Sequence, residues 1–138
     1  KTLKNDNGLG SATSGLEAYS ALYCDAVAWI KGGYIDFISP QLYWECGNSA
    51  ADFRTLAKFW SGVCEGTGVE LLISHGIYRY ENEWDSPNGE ILRQVDYGRS
   101  LLAYKGSVLY GYEALIGNTK GAGEDTLSAF ENEVYYYS

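Results

Sequence analysis

Three times along this chain a short apolar run ends abruptly in polar and aromatic residues. Ile35 opens the first, IDFISPQLYW, whose first half is the apolar pattern of a strand buried on both faces. Its second half switches to Pro40, Gln41, Tyr43 and Trp44. Val69 to Ile73 is the second run, and Ser74, His75, Gly76 and Tyr78 follow it. Ser107 to Tyr110 is the third, followed by Gly111, Tyr112 and Glu113. The starts fall about 35 residues apart, the usual length of one βα unit. Gly32–Gly33, Gly66–Thr67–Gly68 and Gly106 precede the runs, where a left-handed residue ends a helix.

Apolar faces at helical spacing fill the gaps. They are Tyr19, Leu22, Tyr23, Ala26 and Ile30; Phe53, Leu56, Ala57, Trp60 and Val63; Ile91, Gln94, Val95, Gly98 and Leu102; and Leu127, Phe130, Val134 and Tyr137. Ser14 with Glu17, and Ser49 with Asp52, have the spacing of a capping box. Ser86 before Pro87 fits an N-cap and a first helical turn. The order is helix, strand, helix, strand, helix, strand, helix, which predicts an α/β fold with parallel strands.

Such a fold places its ligand at the carboxyl ends of the strands. An amide between aromatic rings suits a sugar, which has apolar C–H faces and a polar rim. The same residues equally fit a core strand capped by a Pro-containing turn. The chain carries 13 Tyr and 4 Trp, and Tyr43, Trp44, Tyr78, Tyr80, Trp84, Tyr110 and Tyr112 all lie at or beyond strand ends. These side chains pair a large apolar contact with a polar tip. Tyr135, Tyr136 and Tyr137 fall far from that rim and read as packing or an unmet interface.

Ten basic against eighteen acidic residues give a net charge of −8. That argues against nucleic acid, which needs a basic footprint, and against anionic membrane surfaces. No apolar run approaches the length of a membrane span. One His and three scattered Cys do not make the ligand pairs of a zinc site, and no cofactor is expected. Cys24 and Cys64 read as small core residues. Cys46 lies in the loop after the first strand and would need a base such as His75 to act as a nucleophile. Asp36, at the start of its strand, is expected to be structural.

Three parallel strands leave two open sheet edges. A closed (β/α)8 barrel needs about 250 residues, and this chain has 138. The polar, Gly-rich start KTLKNDNGLGS reads as the middle of a loop. The expectation is therefore part of a barrel over residues 1–138, with a small open α/β domain as the other reading. A flavodoxin-like domain would call for a phosphate-binding loop, and no GxGxxG or GxxxxGK[ST] follows any strand.

GSATSGLEAY, YCDAVAWIKGGYIDFISPQLYW, LLISHGIYRY, the stretch from Trp84 to Gln94 and KGSVLYGYEAL occur in that order. Together they resemble the glycosyl-hydrolase-like family 10 domain, from about Gly10 to Asn118. The block from Asp25 to Trp44 is the most specific part. The resemblance implies the carboxyl-terminal part of a TIM-type barrel glycosidase, strands six to eight. Gln41, Tyr43 and Trp44 match the strand-six motif, and His75 and Tyr78 the strand-seven region. Ser74 stands where members usually carry Gly. Trp84, Glu90 and Gln94 match the next loop and helix and read as loop anchors and helix caps.

The family's acidic motif near the fourth strand has no counterpart here. Glycoside hydrolysis usually needs two carboxylates about 5 to 9 Å apart. Glu45, Glu81, Glu83, Asp85 and Glu113 are the rim acids, and Glu113, just past a strand end, is the catalytic candidate. A solvated or helix-capping role is its other reading. The resemblance thus implies part of a glycoside hydrolase acting outside the cytoplasm on bacterial cell-wall glycan or another polysaccharide, this chain alone being inactive. Gln41 would hydrogen-bond the sugar, Tyr43, Trp44 and Tyr112 would stack on it, Tyr78 would line the site, and His75 would bond a hydroxyl or tune a carboxylate. Its partners would be the polysaccharide, and the remaining barrel strands or a second copy across the open edges. The alternative is a non-catalytic carbohydrate-binding or self-associating half-barrel.

Overall fold

The computed structural model describes residues 10–11, 13–14, 18–82, 84 and 88–131. Three parallel strands, β1 (Phe37–Ile38), β2 (Glu70–Gly76) and β3 (Tyr104–Tyr110), form one sheet in the order β1-β2-β3. Helices α1 (Ala18–Leu22) and α2 (Ala26–Lys31) precede β1, α3 (Phe53–Cys64) joins β1 to β2, and α4 (Glu90–Arg99) joins β2 to β3. Helices α5 (Tyr112–Ile116) and α6 (Ala122–Phe130) follow β3. Short 3₁₀ turns cover Ile77–Tyr80 and Thr119–Gly121. The expected α/β architecture is present, and its right neighbours are paired in parallel.

Strand β1 is short because of one missing donor. Phe37 pairs with Glu70, Ile38 with Leu71, and Gln41 with Ser74, all in one register. That register sets Ser39 opposite Leu72, a rung that needs the N–H of Pro40, and proline has none. The ladder resumes above it, with Ser74 N–H donating to Pro40 O at 3.1 Å and Leu42 N–H to Ser74 O at 3.0 Å. On the other side, β3 carries one extra residue, since Leu71 pairs with Tyr104 but Leu72 with Gly106. The strand therefore begins before Gly106, which lies inside the sheet instead of ending the preceding helix.

Helices cover one face of this sheet. Leu71 and Ile73 of β2 have no exposed surface and join Ile30, Phe53, Leu56, Ala57 and Trp60 in the first core. The stripe expected on α3 is the buried one, with Val63 half-buried at its end. A second core gathers Ile77, Tyr80, Trp84, Ile91, Val95, Ala122 and Ala129 beneath the carboxyl ends of β2 and β3. Among the described residues no helix covers the opposite face, the bare face, where Phe37 is 55%, Val108 42% and Tyr110 58% exposed. Among the described residues both sheet edges are unpaired, and no helix is long and apolar enough to cross a membrane.

Several local expectations are corrected. The single helix expected from Tyr19 to Ile30 is two, because Tyr23 takes a left-handed conformation at φ 53°. The Cys24 amide reaches back to the Ala18 carbonyl at 3.0 Å, the wrap that closes a helix end. Asp25 then caps α2 by accepting from Ala28 N–H at 2.9 Å. Asp52, not Ser49, caps α3, accepting from Thr55 N–H at 2.8 Å. Leu102 lies beyond α4 and is exposed, and α6 buries Ala122, Thr126 and Ala129 while Leu127 faces solvent. Glu17, Glu83, Asp85, Ser86, Pro87, Val134 and Tyr135 to Tyr137 lie outside the described residues.

Candidate functional site

Side chains alternate along a strand. The pairing of Gln41 with Ser74 therefore puts Gln41 and Tyr43 on the bare face and sends Leu42 and Trp44 to the helix side. Leu42 is buried in the first core, and Trp44 packs half-buried against it. Gln41 is exposed at the mouth of the sheet.

Tyr43 meets Tyr78 and Tyr110 at the carboxyl end of the sheet. Its ring stacks on Tyr110 with centroids 5.6 Å apart, and Tyr78 stands edge-on to both, at 5.8 Å from Tyr43 and 5.7 Å from Tyr110. These are favoured aromatic geometries, worth about 0.5–1.5 kcal/mol per pair beyond burial. Arg79 lies 5.2 Å above the Tyr78 ring. The Tyr43 hydroxyl bonds the Ser74 hydroxyl at 3.3 Å.

Two glycines make room for this cluster. A Cβ on Gly76 would come within 3.0 Å of the Tyr43 ring. Gly111 has φ 113°, and a Cβ there would come within 2.7 Å of the Tyr78 backbone nitrogen. Beside the cluster, an open cleft of about 980 Å³ is lined by Tyr78, Tyr110, Tyr112, Glu81, Glu113 and Thr119, among others. Tyr112 is 71% exposed, and Glu113 is exposed next to it in the first turn of α5. The sequence signal for Tyr110 was its place as the last residue of a strand, on the parity of Val108.

His75 is not at this surface. It shares strand parity with Leu71 and Ile73, has no exposed area, and stacks on Phe53 with ring centroids 5.6 Å apart. The expected hydrogen bond from His75 to a sugar hydroxyl is closed to it, because both ring nitrogens face protein. Nδ1 bonds Gln94 Oε1 at 2.8 Å, and Nε2 bonds the Ser107 hydroxyl at 2.7 Å. Gln94 Nε2 donates to Trp44 O at 3.1 Å and to Glu90 Oε1 at 2.8 Å, so its Oε1 is the acceptor and His75 carries its proton on Nδ1. Ser107 then donates to Nε2 and receives the Tyr104 hydroxyl at 2.8 Å. Burial holds the imidazole neutral, lowering its pKa from 6.5 to about 4.

Glu90, almost wholly buried, ends this chain. Its Oε1 also accepts Cys46 N–H at 2.7 Å, and its Oε2 is paired with Arg93 at 2.7 Å. Trp84 Nε1–H donates to Tyr43 O at 3.1 Å. The loop-anchoring reading of Trp84, Glu90 and Gln94 thus has a geometry: each holds a backbone atom of the segment from Tyr43 to Cys46. Burial and the Glu90 carboxylate push the Cys46 thiol up to about 12, far from a nucleophile's value. His75 is already committed at both nitrogens and offers it no base. Among the described residues no three His, Cys, Asp or Glu side chains converge as a metal site would require.

A three-stranded parallel sheet, helix-backed on one face and gathering aromatic side chains at the carboxyl ends of its strands, defines an α/β protein whose architecture is consistent with part of a TIM-type barrel. Residues 4–87 match the family described as Glycosyl hydrolase-like 10, and the chain belongs to that family. It is 37% identical over 127 residues to Glycosyl hydrolase YngK of Bacillus subtilis (strain 168), covering 89% of this chain and 25% of that protein. To Glycosyl hydrolase DigH of Escherichia coli O6:H1 it is 33% identical over 115 residues, covering 78% of this chain and 26% of that protein. The Escherichia coli K12 protein of the same name is 32% identical over the same shares. The chain spans about a quarter of the length of these curated relatives.

Proposed function

We propose that this chain is the carboxyl-terminal part of a (β/α)8-barrel glycoside hydrolase and supplies sugar-binding residues at its rim. In this reading β1, β2 and β3 are the sixth, seventh and eighth strands, and the bare sheet face turns toward the barrel interior. The proposed substrate is bacterial cell-wall glycan or another polysaccharide, and work outside the cytoplasm is proposed on the family resemblance alone. The observation that carries the proposal is the tyrosine cluster of Tyr43, Tyr78 and Tyr110 at the strand ends, beside a cleft. Aromatic faces desolvate the C–H faces of a pyranose, and Gln41 at the mouth offers an amide to its hydroxyls.

Glu113 lines the cleft with Glu81 and is the candidate carboxylate of this segment. Hydrolysis needs a second carboxylate at a defined separation across the scissile bond. The proposal assigns that partner to strands outside this chain, so the chain alone does not turn over. The bare face and unpaired edges also favour a second reading, a half-barrel that binds glycan without cleaving it.

Hydrolysis of peptidoglycan glycan strands and a panel of neutral polysaccharides separates the two. It is measured for this chain and for a version extended toward the amino terminus. Cleavage by the longer version alone supports the proposal, and Gln41→Ala in that version then raises KM about tenfold. Binding by the short chain with cleavage by neither version overturns the enzymatic reading in favour of recognition.

A further inference from the structure

The segment from Tyr43 to Cys46 is held by its main chain as well as by its side chains. Tyr43 O and Trp44 O each receive a side-chain donor, and Cys46 N–H donates to a carboxylate. A rim loop ordinarily gives such groups to water. Here the three holders are Trp84, Gln94 and Glu90, at 7%, 0% and 1% exposure. A buried amide and a buried carboxylate aimed at a loop's backbone are costly to place and rigid once satisfied.

The clamp also reaches across the sheet. Gln94 continues through His75 to Ser107 and Tyr104 on β3, the strand that ends in Tyr110. One polar chain therefore ties the backbone beneath Tyr43 to the strand beneath Tyr110, the two rings that stack. We propose that Trp84, Gln94 and Glu90 are positioning residues for the sugar-binding rim, with His75 coupling the β1 and β3 sides of the tyrosine cluster. The proposal rests on the reading of that cluster as the sugar site. Side-chain placement within about 0.5 Å decides whether such a site works, and it depends on groups behind the contact surface.

The test uses the full-length hydrolase that carries this chain. Gln94→Leu and Trp84→Phe each remove a donor to the rim backbone while keeping much of the apolar volume. Tyr80→Phe is the control: it removes bonds to Asp125 and to Ile91 N–H in the second core while keeping its ring against Trp84, with centroids 5.3 Å apart. We expect the two rim variants to raise KM for glycan strands about tenfold. Their kcat should change by less than about threefold. Amide hydrogen exchange should quicken at residues 43–46 and stay unchanged in α3. Tyr80→Phe should lower Tm without moving KM or that local exchange.

If the rim variants lower Tm as Tyr80→Phe does, yet leave KM and exchange at wild-type values, the positioning role is overturned. A wild-type enzyme with no glycan turnover would count against the proposed function instead. The exchange measurement then decides alone: unchanged protection at residues 43–46 rejects the clamp, and lost protection sustains it.

Discussion

On the helix side of the sheet, Leu71, Ile73 and His75 have no exposed surface, while across the same sheet Phe37, Val108 and Tyr110 keep 55%, 42% and 58% of theirs. Strand alternation alone separates the two sets. The helix side is a finished interior, with close-packed aliphatics and a polar chain whose members satisfy one another. The bare side carries the same kinds of apolar residues, with no helix among the described residues packed on them and only the tyrosine cluster against Tyr110. The difference teaches that stability and recognition are divided by parity. Residues that hold this chain together and residues that offer themselves to a partner sit next to each other in sequence.

The contrast can be broken most directly by truncating one residue on each side. Ile73→Ala opens a cavity in the first core and should cost about 3 kcal/mol in urea denaturation. Val108→Ala in the same chain should cost less than about 0.5 kcal/mol. In the full-length hydrolase the proposed barrel would bury Val108, and the same change should then cost about 2 kcal/mol. Equal costs on both sides of the isolated chain would mean that the bare face is covered in solution.

The buried imidazole makes the helix side sensitive to acid. His75 prefers to be neutral when folded, with a pKa near 4 against 6.5 in an exposed state. Its protonation therefore favours the unfolded chain. The stabilisation is complete above about pH 6.5 and is lost as pH falls toward about 4. Between pH 7 and pH 5 the loss should be about 2 kcal/mol. The chain has one His, so His75→Leu should flatten that window, measured by denaturation at both pH values. A slope that survives the substitution would refute the assignment.

A smaller effect belongs to the start of α3, the helix that seals this side. Asp52→Ala removes the bond to Thr55 N–H and should cost about 1 kcal/mol. A value near zero would show that the bonds of Asp52 to Thr55 and to Gly47 N–H, at 2.6 Å, add nothing to stability.

Much of the helix side is legible in the sequence, because apolar spacing reports directly on a core. The stripe from Phe53 to Trp60 and the parallel order of βα units both follow from that spacing. The misreadings come from polar and conformational details that spacing does not encode. Tyr23 enters the left-handed region without being Gly, so an apolar pattern continuous to Ile30 hides a helix break. Pro40 removes one rung, so a ten-residue run yields a strand assigned as Phe37–Ile38.

The site is legible by position more than by role. Tyr43, Tyr78 and Tyr112 do lie at the strand ends, as their sequence places suggest. His75 and Trp44 fall on the other side of the sheet, and a signal for this was available. His75 keeps step with Leu71 and Ile73, and Trp44 keeps step with Leu42. Glu90 and Gln94, one helical turn apart on a face with Ile91 and Val95, also mark a buried polar pair awaiting a partner.

Because Trp84, Gln94 and Glu90 grip carbonyls and an amide, they are indifferent to what Tyr43, Trp44 and Cys46 carry beyond Cα. Trp44 and Cys46 pack against the first core, so of the three only Tyr43, on the other face, can change without loosening that packing. In the proposed reading, position 43 can thus change, and with it the sugar contact, at little risk to the frame. For an engineer, the same separation makes position 43 a place to randomise and positions 84, 90 and 94 places to leave alone.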